Sequence, residues 1–181
     1  MITGVLLLRG LATAADGCRE ARAKADEYLR LVAGLSENGF TDEAQLKRQS
    51  ELLLTPPRGL NLGYYIYTSS AIESCSVQSN DRPRLVLRFE VAGHVSLDPK
   101  SQDKLPTFRV ENSVKQVVLR LNKGRLEGLD TGDPFYPPIV AIQDYKERSG
   151  RAHGAEQIAI RLVLEQLDKD QKAYLSGNKQ Q

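Results

Sequence analysis

The chain has 181 residues, of which 40% are hydrophobic and 27% are charged. This length fits one domain better than two, and the composition argues against a disordered chain. A net charge of +2, from 25 basic and 23 acidic residues, gives no reason to expect a nucleic-acid partner. No apolar run is long enough to span a bilayer, so we expect no transmembrane segment.

The N-terminus is apolar and then rich in small residues. Residues 2–8 are strongly apolar, and Ala12-Thr13-Ala14 has the form of a signal-peptidase cleavage site. We therefore expect 1–16 to be either the end of a truncated export signal or an ordinary N-terminal apolar segment. Residues 17–176 are predicted to form a single domain, followed by a polar tail at 177–181.

Two cysteines, Cys18 and Cys75, are the only ones in the chain. In an exported protein they would form one disulfide, whereas in a reducing cytosol they would be two buried thiols. Small residues before Cys18 also allow a lipid-modified cysteine at that position. Neither thiol has a neighbour that would make it a nucleophile.

Helical periodicity is found at both ends of the chain. Residues 17–35 and 41–54 are predicted to form two helices, and Thr55-Pro56-Pro57 ends the second because proline cannot continue a helix. Residues 155–175 are predicted to form an amphipathic helix. We expect three sets of apolar side chains to be buried on these helices: Ala21, Ala25, Tyr28, Val32 and Leu35; Ala44, Leu46, Leu53 and Leu54; and Ile158, Ile160, Leu162, Val163, Leu164 and Leu167.

The middle of the chain has the pattern of strands. Residues 84–91 alternate apolar and polar side chains, which is typical of an antiparallel sheet with one solvated face. Further strands are predicted at 62–68, 72–77, 108–111, 114–121, 125–129 and 139–142. The sequence therefore predicts an α+β fold, with an antiparallel sheet of about five to six strands packed by an N-terminal helical hairpin and a C-terminal amphipathic helix.

No motif in the sequence predicts catalysis, a metal or a cofactor. Asp130-Thr131-Gly132 matches the aspartic-protease triplet, but the apolar strand that should precede it and the second supporting segment are missing. His94 and His153 lack the spacing of metal ligands, and His94 follows Gly93 at a predicted turn or bulge. We therefore expect a protein that is not an enzyme and that needs no cofactor.

The most informative surface residues are tyrosines and arginines, which often anchor protein interfaces. Those on the predicted sheet are candidates for binding another protein: Tyr65, Tyr67, Arg84, Arg88 and Arg120. We expect a non-catalytic binding protein of the periplasm or cell envelope, in its most concrete form an inhibitor or immunity factor that neutralises a toxin.

Three alternatives remain open. The first is a structural or assembly lipoprotein anchored through Cys18. The second is a hydrolase with a site assembled from scattered residues such as His153, Asp133 and Glu111. The third concerns location, since a cytoplasmic protein would also fit the composition.

Overall fold

The structure is a computed structural model. It describes residues 3–38, 43–54, 63–77, 82–96, 105–128 and 133–178. Within these ranges it describes only the backbone of residues 3–15, 35–38, 43, 45–46 and 178. Four helices and five strands lie in these ranges. In chain order they are α1 (Thr3–Asn38), α2 (Glu43–Leu52), β1 (Gly63–Val77), β2 (Pro83–Ser96), β3 (Thr107–Asn122), β4 (Arg125–Gly128), β5 (Phe135–Tyr136), α3 (Pro138–Ser149) and α4 (Ala155–Asn178).

The five strands form one sheet in the order β4-β3-β2-β1-β5. This confirms the α+β class, but the expectation of a purely antiparallel sheet is wrong. Strand β5 crosses to the far edge and pairs parallel to β1, with Phe135 beside Tyr65 and Tyr136 beside Ile66. A two-residue strand is too short to show a period of two, so the pattern of side chains could not reveal it.

Strand β2 has the alternation that the sequence predicts. Leu85, Leu87, Phe89 and Val91 are buried, and each is at most 3% exposed. Near its end the ladder shifts register between Val91 and Gly93, which confirms the irregularity expected before His94. A side chain at position 93 would overlap the ring of Phe108, so only glycine fits there.

Strand β3 is a single element where two strands were predicted. The polar residues 111–113 suggested a break, but they lie at the register shift opposite β2 and the strand continues through them. The turn after β3 follows the prediction. Lys123 and Gly124 both have positive φ, of 51° and 74°, as the two-residue hairpin turn before β4 requires.

The strand predicted at Ile139–Ile142 is wrong, because these residues belong to α3. Pro138 stands in the first turn of this helix, where a missing backbone N–H costs nothing. Val140, Ala141 and Ile142 are all buried. A short run that is apolar on every side fits a buried helix as well as a strand, and periodicity cannot separate the two.

Helix α1 contacts both β1 and β2. Ala21 and Ala25 are fully buried on its sheet-facing side, and Val32 is 2% exposed. Helix α2 contacts α1, and Arg48 on α2 pairs with Glu27 on α1 at 2.9 Å. The two predicted helices therefore exist, although α1 begins at Thr3 rather than at Gly17.

Helix α4 contacts β1 and α3, and it buries only part of the face that was predicted. Ile160 and Leu167 are buried, whereas Ile158 and Leu162 are 56% and 58% exposed. The helix turns its Ile160–Leu167 side inward, where Tyr174 meets Tyr67 of β1 in an edge-on contact at 5.8 Å between ring centroids.

Cys18 and Cys75 are joined by a disulfide with a Cα–Cα distance of 5.9 Å. The bond ties the first helix to the end of β1, as expected for the oxidised form of this pair. It uses the same sulfur atom of Cys18 that a lipid anchor would need, so the two modifications exclude each other.

We expect Leu85→Ala to lower the free energy of unfolding by about 2–5 kcal/mol, because it leaves a cavity in the core. Val86→Ala is the matched control, since Val86 is the next residue on β2 and is only partly buried. The loss of unfolding free energy in Val86→Ala should be clearly smaller. Urea titration of both variants measures the two losses. Equal losses for the two variants would contradict the inward direction of Leu85.

Removing the disulfide with Cys18→Ala and Cys75→Ala should destabilise the oxidised protein by about 4 kcal/mol, because 57 residues separate the two cysteines and the bond restricts the unfolded chain. Thermal melting with and without a reductant measures this. Melting of the unaltered protein should be sensitive to reductant and melting of the double variant should not. A reductant-insensitive midpoint in both would show that the bond does not form.

Candidate functional site

The outward side of the sheet holds the three arginines predicted as partner anchors. Arg84 on β2 is the direct Cα partner of Arg120 on β3, and Arg88 is the partner of Gln116. Directly opposite residues of an antiparallel pair point to the same side. Arg84, Arg88 and Arg120 therefore share one face, which we call the wet face, opposite the side formed by Leu85, Leu87 and Phe89.

The pairing of Arg84 with Arg120 is energetically unfavourable. Like charges directly opposite each other destabilise a sheet. In addition, Nε of Arg120 is buried and has no hydrogen-bond partner in the described part of the chain. A buried donor without an acceptor costs roughly 1–3 kcal/mol. Glu127, the direct partner of Arg120 on β4, is an opposite charge that offsets part of the repulsion.

The two arginines belong to a larger group of cations at one end of the sheet. Because β2 begins where β3 ends, the residues before Arg84 and those of the β3–β4 turn meet there. We define the basic end as five residues: Arg82, Arg84, Arg120, Lys123 and Arg125. Glu127 lies opposite Arg120 from the β4 side, and its carboxylate accepts a hydrogen bond from Asn122 at 3.3 Å.

Arg88 differs from the basic end because it already has a partner. Its guanidinium donates to the carboxylate of Glu90, two residues along the same strand, at 2.8 Å. Nearby, the amide of Gln116 donates to Glu73 at 2.6 Å. This part of the wet face is balanced in charge.

The two tyrosines predicted beside these arginines do not lie on the wet face. Tyr67 is 2% exposed, so the expectation that it reaches the surface is wrong. Its ring packs on Phe89, Tyr174 and the helix side of the sheet, and burial raises the pKa of Tyr67 well above its usual value. Sequence alternation alone could not show which side the helices would cover.

Tyr65 is half-buried in a second cluster at the other end of the sheet. Its ring stacks on Phe135 at 5.1 Å and lies 4.5 Å from the ring of His94, its direct partner on β2. The ammonium of Lys115 sits 4.3 Å from the centre of the Tyr65 ring. Such a cation over an aromatic face is attracted by the ring. The Tyr65 ring therefore contacts Phe135, His94 and Lys115.

His94 is held between two oxygen atoms. Its Nε2 lies 2.7 Å from Oδ2 of Asp133, and its Nδ1 lies 3.2 Å from Oγ of Ser96. In the neutral imidazole, the carboxylate, which can only accept, favours the ring proton on Nε2 and leaves Nδ1 as an acceptor for the serine hydroxyl. The His94 and Asp133 side chains are 20% and 28% exposed, so solvent still reaches them.

Glu111 is a second carboxylate close to His94. Burial alone would raise the pKa of Glu111. Hydrogen bonds from Lys115 and Ser113, together with the charges of Lys115 and His94, outweigh burial and lower the pKa below its usual value. Glu111 also pairs with Lys115 at 3.0 Å. The carboxylate is therefore ionised and helps to hold Lys115 over Tyr65.

This cluster corrects the grouping of residues in the hydrolase alternative. Asp133 and Glu111 do lie near a histidine, but it is His94 rather than His153. His153 is exposed in the link between α3 and α4. The chain separates Asp133 from His94 by 39 positions, so only the pairing of β5 with β1 brings them together. The glycine before His94 indicated an irregular strand, but no sequence signal predicted the contact with Asp133.

Gly63 explains how the His94–Asp133 pair can approach the sheet. Its φ is +144°, and a Cβ there would lie 2.5 Å from the backbone oxygen of Val95. The same Cβ would lie 3.2 Å from Oδ2 of Asp133 and 3.3 Å from Nε2 of His94. Glycine is thus required both by the backbone and by the two side chains above it.

The described ranges contain no cluster of three or more metal-ligating side chains and no helix that could cross a membrane. The triplet Asp130-Thr131-Gly132 lies outside them. Comparison with family models, with curated proteins and with solved structures finds no match to this chain. Its function must therefore be inferred from its own residues.

We expect Gly63→Ala to destabilise the protein by about 1–3 kcal/mol, because alanine is strained at this φ and its Cβ has no room. Gly150→Ala is the control, since Gly150 has an ordinary helical φ of −66° and its nearest obstacle is 3.6 Å away. That change should stay within about 0.5 kcal/mol. Urea unfolding of both variants tests the expectation, which fails if Gly63→Ala is as mild as the control.

Proposed function

We propose that this chain is a binding protein that docks an acidic surface of another protein through the basic end of its wet face. The observation that carries the proposal is the direct pairing of Arg84 with Arg120. Sites evolved for binding often reduce stability, because the groups that recognise a partner are left unsatisfied in the free protein. An acidic partner would relieve the repulsion between Arg84 and Arg120.

The partner class follows from the chemistry of the cations. Four of the five residues of the basic end are arginines, and a guanidinium matches a carboxylate with two parallel hydrogen bonds. Arg82, Lys123 and Arg125 are exposed and would guide the approach of a negatively charged partner. Arg84 and Arg120 are half-buried and would form the centre of the contact.

The location we propose is the periplasm or cell envelope. Its support is the disulfide between Cys18 and Cys75, a bond that persists in oxidising compartments and is rare in the cytosol. In such a compartment the most concrete role remains an inhibitor or immunity factor that covers a toxin. The lipoprotein alternative requires a reduced Cys18. Mass spectrometry of the mature N-terminal peptide, with and without reductant, separates a lipid from a disulfide at that residue.

A pair of arginine variants tests the docking surface. Arg84→Gln should weaken capture of the partner at least tenfold, because it removes a central cation. Arg88→Gln is the matched control: it stands on the same strand and face, but it is already paired with Glu90. Partners captured from a native extract at low and moderate salt are quantified by mass spectrometry. The expected partner is acidic, is lost with Arg84→Gln and elevated salt, and is retained by Arg88→Gln.

The stability of the same variants gives an independent check. Arg84→Gln removes the like charge opposite Arg120, so its free energy of unfolding should stay the same or rise by up to about 1 kcal/mol. Weaker capture without a loss of stability is the signature of a binding residue. Equal capture of the same partner by Arg84→Gln and the unaltered protein would contradict the proposal, as would a large loss of stability.

A further inference from the structure

The cluster at the opposite end of the sheet has an arrangement that binding at the basic end does not use. Ser96, His94 and Asp133 form a continuous hydrogen-bonded series of hydroxyl, imidazole and carboxylate, with contacts of 3.2 Å and 2.7 Å. We infer that Ser96 is a nucleophile for ester substrates, with His94 as its general base and Asp133 as a positioning residue.

The protonation pattern supports this assignment. When His94 is neutral, Asp133, 2.7 Å from Nε2, accepts the ring proton there, and Nδ1, 3.2 Å from the serine hydroxyl, keeps a free lone pair. A hydroxyl becomes a useful nucleophile when an adjacent base can accept its proton and a third group orients that base. In the familiar serine hydrolases Nε2 accepts the serine proton and Nδ1–H bonds to the carboxylate, so the two nitrogens have exchanged roles here. The roles depend on geometry and not on which nitrogen is used.

The surroundings fix the base and leave the nucleophile open. The His94 ring lies against Tyr65, and Gly63 leaves room for the imidazole and the carboxylate. Ser96 is the last residue of β2 and is exposed. Arg109, the direct partner of His94 on β3, is also exposed and brings a positive charge to the same side of the ladder. A small substrate can therefore approach Ser96 from solvent.

The reaction can be written with these groups and water alone. Oγ of Ser96 bonds to the ester carbonyl carbon while its proton passes to Nδ1 of His94. The resulting oxyanion, which Arg109 attracts, collapses and breaks the bond to the alkoxy group, which leaves with the proton from His94. Water then attacks the acyl-serine in the same way, releases the acid and returns the proton to Ser96.

A fluorophosphonate probe tests the nucleophile, because it loses fluoride to an activated serine and leaves ordinary serines unmodified. We expect one adduct per chain, located at Ser96 by peptide mass spectrometry. Ser96→Ala should abolish it, and His94→Gln should slow it at least tenfold. Ser76→Ala, at another exposed strand serine, should not change it. No adduct, adducts spread over several serines, or undiminished labelling of His94→Gln would overturn the inference.

The role of Asp133 is read from the imidazole itself. The chain has two histidines, so in a His153→Gln background His94 gives the only imidazole ¹⁵N signals. We expect the proton on Nε2, and we expect Asp133→Asn to produce a tautomer mixture and slower labelling. A proton on Nδ1 in the folded protein would overturn the inference, because that nitrogen could not accept from Ser96. Circular dichroism confirms that each variant is folded, and Ser96→Ala, at an exposed position, decides the question if His94→Gln unfolds.

Discussion

Both candidate sites depend on the register of β2, the strand that pairs with β1 on one side and with β3 on the other. At one end this register places Arg84 opposite Arg120. At the other end it places His94 opposite Tyr65. A slip of one residue would turn every side chain to the other face. The buried series from Leu85 to Val91 prevents that slip, because it would bring Arg84, Arg88 and Glu90 into the core.

The two ends of β2 differ because of the irregularity at Gly93. Up to Val91 the polar residues of the strand point away from the helices, and the wet face is therefore solvated. Beyond the shift, His94 lies half-buried against the ring of Tyr65, which itself stacks on Phe135. An extra residue in a strand redirects the side chains that follow it. The same backbone feature thus separates the charged wet face from a compact polar cluster.

The energetic character of the two ends also differs. In the His94 cluster the described polar groups are matched: Asp133 with His94, Glu111 with Lys115 and Ser113. At the basic end Arg84 lies opposite Arg120, which has Glu127 opposite it on the other side, and Nε of Arg120 has no acceptor among the described residues. Matched polar groups rigidify a site, whereas unmatched ones favour a partner that completes them. This contrast is why we assign binding to the basic end and chemistry to the cluster.

Local sequence pattern determined several parts of this protein. The alternation in β2, the small residues on the buried side of α1, the hairpin turn at Lys123-Gly124 and the irregularity at Gly93 each depend on nearest neighbours along the chain. The possibility of a disulfide also followed from there being only two cysteines. These features were predictable because backbone conformation and one-sided burial leave a short-range signal.

Tertiary structure alone decided the rest. Strand β5 has two residues, and its parallel pairing with β1 is what brings Asp133 to His94 across 39 positions of the chain. Tyr67 is buried because the helices cover its side of β1. Helix α3 stands where a strand was predicted, because a run that is apolar throughout has no periodicity to distinguish the two. Contacts between residues far apart in the chain depend on packing that no short segment encodes, so the histidine cluster could be found only in the folded molecule.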